Sequence, residues 1–200
     1  MSKPAIQACQ LDNLLGEIRR CTLCEPHLPL GPKPILQAGE NARILIAGQA
    51  PGRLTHAKGR PFDDASGERL RSWLGVDRDR FYDPARFAIV PMGFCFPGTH
   101  AHGRGDLPPR PECAATWHQR LLGQLPHIEL TLVLGKYALD YHLPGHQGLA
   151  VEAGRWQQHW PSLMVLPHPS PRNNLWLKRH SWFETDCLPA LRQRVASLID

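Results

Sequence analysis

A chain of 200 residues with 42% hydrophobic content is long enough and apolar enough to bury a core, which excludes a disordered polymer. The formal charge of +5, with eleven histidines able to add to it below neutral pH, suits a polyanionic partner such as nucleic acid. No apolar run approaches the ~20 residues that span a bilayer, and residues 1–20 lack the continuous apolar core of a signal peptide, so a cytoplasmic protein without membrane contact is expected.

Taken in chain order, Leu11, Leu14, Leu15 and Ile18 recur at helical spacing and predict an amphipathic helix over 11–20. The prolines of "CTLCEPHLPLGPKP" (21–34) then enforce an irregular loop. Arg43–Ala47 reads as a buried strand that runs into the glycine turn "GQAPG" and a basic loop ending at Phe62. A helix is predicted over 66–74, with Ser66 as its N-cap. Phe87–Phe96 is the second strand, and "THAHGRGDLPPRP" (99–111) a polar loop. A helix from Glu112 to Leu125 follows, with Pro111 in its first turn. Leu130–Gly135 is the third strand, "KYALDYHL" a short helix, and "LMVLPHPSPRN" a fourth strand ending in a stiff loop. Residues 182–198 close the chain as a helix bent near Pro189.

These strands are apolar without alternation, and helices separate them. That pattern predicts an α/β fold, a parallel sheet covered on both faces, as one domain over residues 1–200. Ligands of such sheets bind beyond the carboxyl ends of the strands. Three strand-end loops, "GQAPG", "GFCFPG" and "HPSPRN", are expected to converge there.

The glycine turn is neither a Walker loop nor a dinucleotide fingerprint. Gly48 and Gly52 let the backbone bend and approach a ligand, and Gln49 can offer an amide to a base edge; the alternative is a tight strand-to-helix connection. His168, flanked by prolines, can donate to a developing anion, or else serve as a capping or core histidine. Arg172 and Asn173 follow it in a loop stiff enough to press into a DNA groove. Cys21, Cys24, Cys95 and Cys113, spaced as C-x2-C and then C-x17-C, suit an iron–sulfur cluster or zinc; the alternative is buried apolar cysteine with no metal. Cys9 and Cys187 have no pattern and read as structural. Phe62 can stack on a base or belong to the core. Asp63 and Asp64 form either a general-base pair or a capping run.

Together these segments resemble the uracil-DNA glycosylase superfamily. "GQAPG" at 48–52 is similar to its first motif, "HPSPRN" at 168–173 to its last, and "GRPF" before "SGERL" to the segment carrying its base-stacking phenylalanine. The four cysteines resemble the set that holds a [4Fe–4S] cluster in the family 4 type. The resemblance covers nearly the whole chain, in order. It implies a three-layer α/β/α sandwich around a four-stranded parallel sheet, and excision of uracil or a related deaminated base from DNA during base excision repair. The target nucleotide is flipped out of the duplex before its glycosidic bond is hydrolysed. It further implies that His168 stabilises the leaving base and Phe62 stacks on it. Gly48, Gln49, Ala50, Pro51 and Gly52 contact base and water, and Ser170, Arg172 and Asn173 contact the substrate DNA. The cluster has a structural role, and the protein acts as a nucleoid-associated monomer.

The chain departs from the family pattern twice. Gln49 and Ala50 stand where the first motif carries a carboxylate, so catalysis relies on electrostatics alone or on Asp63 or Asp64 as base. Pro91 stands four residues before Cys95, where the family places the asparagine that reads the uracil edge. These departures support a second reading, a protein of the same fold that binds damaged or single-stranded DNA without turnover. A third, thiol redox chemistry at Cys21 and Cys24, conflicts with a CxxC that follows a helix and enters a proline-rich loop.

Overall fold

Apolar runs that cannot be told apart by periodicity are sorted in three dimensions by the two faces of one sheet. The computed structural model describes residues 3–101 and 105–200, with side chains from residue 9 onward; three residues of the predicted 99–111 loop therefore lie outside the described residues. Among the described residues the sheet has four strands, β1 (Ile44–Ala47), β2 (Phe87–Ile89), β3 (Leu130–Leu134) and β4 (Leu163–Leu166), in the order β2-β1-β3-β4. All pairings are parallel, with Ile44 beside both Phe87 and Leu130, and Thr131 beside Leu163.

Successive strand residues face opposite layers. Ile44 and Ile46 pack with Leu70, Trp73 and Leu74 of α3 (Ala65–Leu74) and with Leu191, Val195 and Leu198 of α9 (Leu188–Ile199). Leu45 packs on the other face with Leu11, Leu14, Leu15 and Ile18 of α1 (Lys3–Arg19) and Trp117 and Leu121 of α5 (Pro111–Leu122). Ala47, Val133 and Val165 meet Ala138 and Leu139 of α6 (Lys136–His142) and Ala153 of α7 (Leu149–Gly154) on that same face. The architecture is the expected three-layer α/β/α sandwich around a parallel sheet.

Several boundaries differ from the sequence reading. The second strand ends at Ile89, not Phe96, because Pro91 has no N–H to continue the ladder. Gln37 instead exchanges two backbone hydrogen bonds with Ile89 in an antiparallel bridge. Residues 53–58, read as basic loop, form α2 (Arg53–Lys58), and α4 (Arg78–Phe81) and α8 (Asn174–Arg179) were likewise not predicted. Each is too short for a 3.6-residue repeat to show. Ahead of Pro189, the last helix does not bend smoothly but opens into a π-helical turn, Phe183–Cys187.

The start of α3 is capped by Asp64, not by Ser66. The Asp64 carboxylate accepts a hydrogen bond of 2.9 Å from the Gly67 N–H, while Ser66 lies inside the first turn. Immediately before it, Phe62 adopts a left-handed backbone, φ 53°. Its carbonyl lies directly against Gly67 and accepts a hydrogen bond of 3.2 Å from Nη1 of the buried Arg71. A methyl group at Gly67 would overlap that carbonyl oxygen. Gly67→Ala therefore lowers stability by about 2–3 kcal/mol in urea denaturation, the typical cost of overpacking. Gly16→Ala in α1, where an added Cβ stands 3.9 Å from Arg20, raises it by up to about 1 kcal/mol. Equal effects of the two substitutions would contradict this packing.

Candidate active site

Parallel strands end together, so the loops after β1, β2 and β4 gather at one edge of the sheet. A cleft of about 540 Å³ opens there. Its first wall is the turn Gly48–Gly52, held to the chain leaving β2 by hydrogen bonds from Met92 N to Gly48 O (2.9 Å) and Gly93 N to Gln49 O (3.0 Å). Gln49 directs its amide nitrogen inward, donating to the Leu107 carbonyl at 2.9 Å and, more weakly, the Asp106 carbonyl at 3.4 Å. Its carbonyl oxygen is the atom left for a ligand.

Phe62 forms part of the cleft and also packs, partly buried, against the core. Its ring meets Phe81 edge-to-face at 6.3 Å, and a Cβ at Gly48 would stand 3.9 Å from it. The two aspartates that follow do not form a pair in the cleft. Asp64 lines it, with one oxygen engaged in the α3 cap. Asp63 lies outside, 2.8 Å from Arg78, whose hydrogen bond holds its carboxyl below the usual range.

Across the cleft, His168 is exposed to the opening, while Ser170, Arg172 and Asn173 continue the wall in the short helical turn Pro171–Asn173. Asn173 Nδ2 donates to the His168 carbonyl at 2.7 Å, and Arg69 Nη1 to the Ser170 carbonyl at 3.2 Å, which tie the loop to itself and to α3. Desolvation by the surrounding protein lowers the His168 pKa below the ordinary histidine value; Arg172 adds to this, and Asp64 and Asp106 oppose it. This shift favours the neutral ring, which can act as a hydrogen-bond donor through its N–H.

At the back, Pro91 lines the cleft, and its carbonyl faces away. That carbonyl accepts a hydrogen bond of 3.1 Å from Nε2 of His118, a fully buried ring stacked on Phe94 whose pKa burial pushes down to about 4. The sequence reading overlooked Thr99, Gly105 and Asp106, which also border the cleft. A carboxylate in a polar loop that follows a strand end was the available signal.

Only two of the three predicted loops converge fully. Pro91 precedes "GFCFPG", but the loop itself turns away to a second, small apolar cavity of about 20 Å³. Cys21, Cys24, Cys95 and Cys113 all line it, and none is in a disulfide. Burial raises the thiol pKa values of Cys24 and Cys95 and pushes Cys113 up to about 12. Among the described residues no three His, Cys, Asp or Glu side chains close on a point as ligands of a single ion. Four cysteine thiols around one cavity are a donor set of the kind that holds an iron–sulfur cluster or zinc. The two sites stand back to back, because a Cβ at Gly93, in the wall of the cysteine cavity, would lie 3.6 Å from Ala50 in the cleft. Cys187 is buried against Met164, and Cys9 is exposed on α1. No helix among the described residues is long and apolar enough to cross a membrane.

The chain is similar to known proteins. A curated relative, the Type-4 uracil-DNA glycosylase of Archaeoglobus fulgidus, is 29% identical over 136 residues, covering 66% of this chain and 62% of its own length. A solution NMR structure from Methanosarcina acetivorans, titled as a candidate uracil DNA glycosylase, is 18% identical, with 80% of this chain and 97% of that one covered and a TM-score of 0.46. The profile of the uracil DNA glycosylase superfamily matches residues 36–192, which include the 48–52 turn, Phe62 and the 168–173 loop and leave Cys21 and Cys24 outside. With more than half its length in that match, the chain belongs to the uracil DNA glycosylase superfamily.

Proposed function

We propose that this chain is a DNA glycosylase that hydrolyses the N-glycosidic bond of uracil or a related deaminated base. The observation that carries the reading is the meeting of His168, Phe62 and the 48–52 turn in one cleft. A flipped nucleotide enters, and its base stacks on Phe62. Uracil, hypoxanthine and xanthine each carry a ring N–H beside a carbonyl, and the free oxygen of Gln49 is an acceptor suited to that edge. Pro91 adds no side-chain hydrogen bond there, so uracil alone is not singled out. As the bond to C1′ lengthens, negative charge gathers on the base, and neutral His168 donates to it. Asp64 places negative charge on the same cleft, where a cationic sugar develops. Arg172 and Asn173, on a loop tied to α3, contact the opened duplex, and the net positive charge favours its backbone.

Cys21, Cys24, Cys95 and Cys113 would hold a [4Fe–4S] cluster, which supplies a structural cross-link and no redox step. Held in this way, the four cysteines would fasten the loop after α1 to the β2 exit and the start of α5, and so stiffen the back of the cleft. The second reading, damaged-base binding without turnover, is favoured by one observation: the 48–52 turn carries no carboxylate.

Duplexes bearing one uracil, hypoxanthine or xanthine separate the two readings. Alkali-labile abasic sites are expected with at least one of them, and His168→Ala lowers the single-turnover rate by about 100-fold or more. Tight binding with no abasic product from any of them would select the second reading. Anaerobically purified protein is expected to be brown and to contain iron, and Cys113→Ser to lose both; a colourless, zinc-containing wild type would contradict the cluster.

A further inference from the structure

Hydrolysis at a sugar carbon calls for a group that takes a proton from water, and the turn after β1 has none. A different loop brings one. Thr99 and Asp106 face each other across an antiparallel bridge, closed by hydrogen bonds from Leu107 N to Gly98 O (2.8 Å) and from His100 N to Gly105 O (3.0 Å). Gln49 fastens the Asp106–Leu107 side of this bridge to the turn through the Leu107 carbonyl. A glutamate at position 49 could not make that bond, because a carboxylate does not donate.

The Asp106 side chain is thereby set over the turn. Its Oδ1 accepts a hydrogen bond of 3.3 Å from the Thr99 hydroxyl. Its Oδ2 lies against Gly52, where a Cβ would stand only 3.2 Å away. Glycine at position 52 leaves room for the carboxylate inside the cleft. The charge of Asp106 is also felt at His168, so both groups act on the same space. Of the other nearby carboxylates, Asp63 pairs with Arg78 outside the cleft, and Asp64 lines the cleft with one oxygen committed to the α3 cap.

We propose that Asp106 is the catalytic carboxylate of this cleft, accepting a proton from the attacking water through Oδ2. The water oxygen bonds to C1′ as the C1′–N bond breaks. The electron pair leaves on the base nitrogen, where His168 donates a hydrogen bond, and the proton on Asp106 returns to solvent. The carboxylate function of the first motif is thus moved to another loop, and Gln49 serves to hold that loop. This role rests on the glycosylase reading above.

The test compares wild type, Asp106→Asn and Asp106→Ala on the duplex that wild type cuts. Asp106→Asn is isosteric at an exposed position, and its thermal midpoint verifies folding. The single-turnover rate of Asp106→Asn is expected to fall by about 100-fold or more while its affinity for the duplex stays within about threefold. Added formate, a small carboxylate, is expected to raise the Asp106→Ala rate by about tenfold and to leave His168→Ala unchanged. A folded Asp106→Asn within about fivefold of wild type would overturn the role of Asp106 while leaving the glycosylase reading intact. A wild type that cuts none of the duplexes would overturn both.

Discussion

Phe62 carries a backbone conformation that a bulky residue rarely adopts, and three neighbours hold it there. Its carbonyl is pressed onto Gly67 in the first turn of α3, Arg71 one turn later donates to the same oxygen, and Phe81 packs edge-to-face with its ring. Arg71 is buried, so this hydrogen bond also gives its guanidinium a partner. The chain reverses at Phe62 and delivers an aromatic ring to the cleft within reach of Gly48. Without that reversal α3 would start elsewhere, Asp64 would not cap it, and the anchor from Arg69 to the His168 loop would be lost. Strain stored at one residue thus organises both walls of the cleft.

The second organising element is the exit from β2. Pro91 ends the strand, and the chain then passes between two sites, with Met92 and Gly93 bonded to the glycine turn and Phe94 donating to the Cys113 sulfur at 3.4 Å. His118 supports this passage from behind through the Pro91 carbonyl. Pro91 thus serves as a rigid backbone support between the cleft and the buried His118. Cysteine cavity and cleft therefore share a wall, and loss of order in one would be transmitted to the other through Gly93 and Ala50.

Much of this fold was legible because a strand buried on both faces is an unbroken apolar run, as in Ile44–Ala47, Leu130–Leu134 and Leu163–Leu166. The same rule failed after Ile89. Phe94 and Phe96 are buried in a loop, and composition cannot separate that burial from a strand's. In the cleft, Gly48, Gln49, Phe62, Asp64, His168, Arg172 and Asn173 were marked by local pattern and Ser170 by the family resemblance, and all line it. Asp106 was not, because its relation to the turn is made by contacts between residues more than 50 positions apart, such as the hydrogen bond from Gln49 to Leu107 that spans 58 positions. The cap of α3 escaped for a smaller reason: Asp64 and Ser66 are both good capping residues, and only the backbone chooses between them.

A cleft that breaks a glycosidic bond releases a free base, which mass spectrometry detects directly from a duplex carrying a single deaminated nucleotide incubated with excess wild-type protein. Stoichiometric release of the free base is expected, with an abasic strand of matching amount. Full occupancy of the duplex with the base still attached to its sugar would contradict the glycosylase reading.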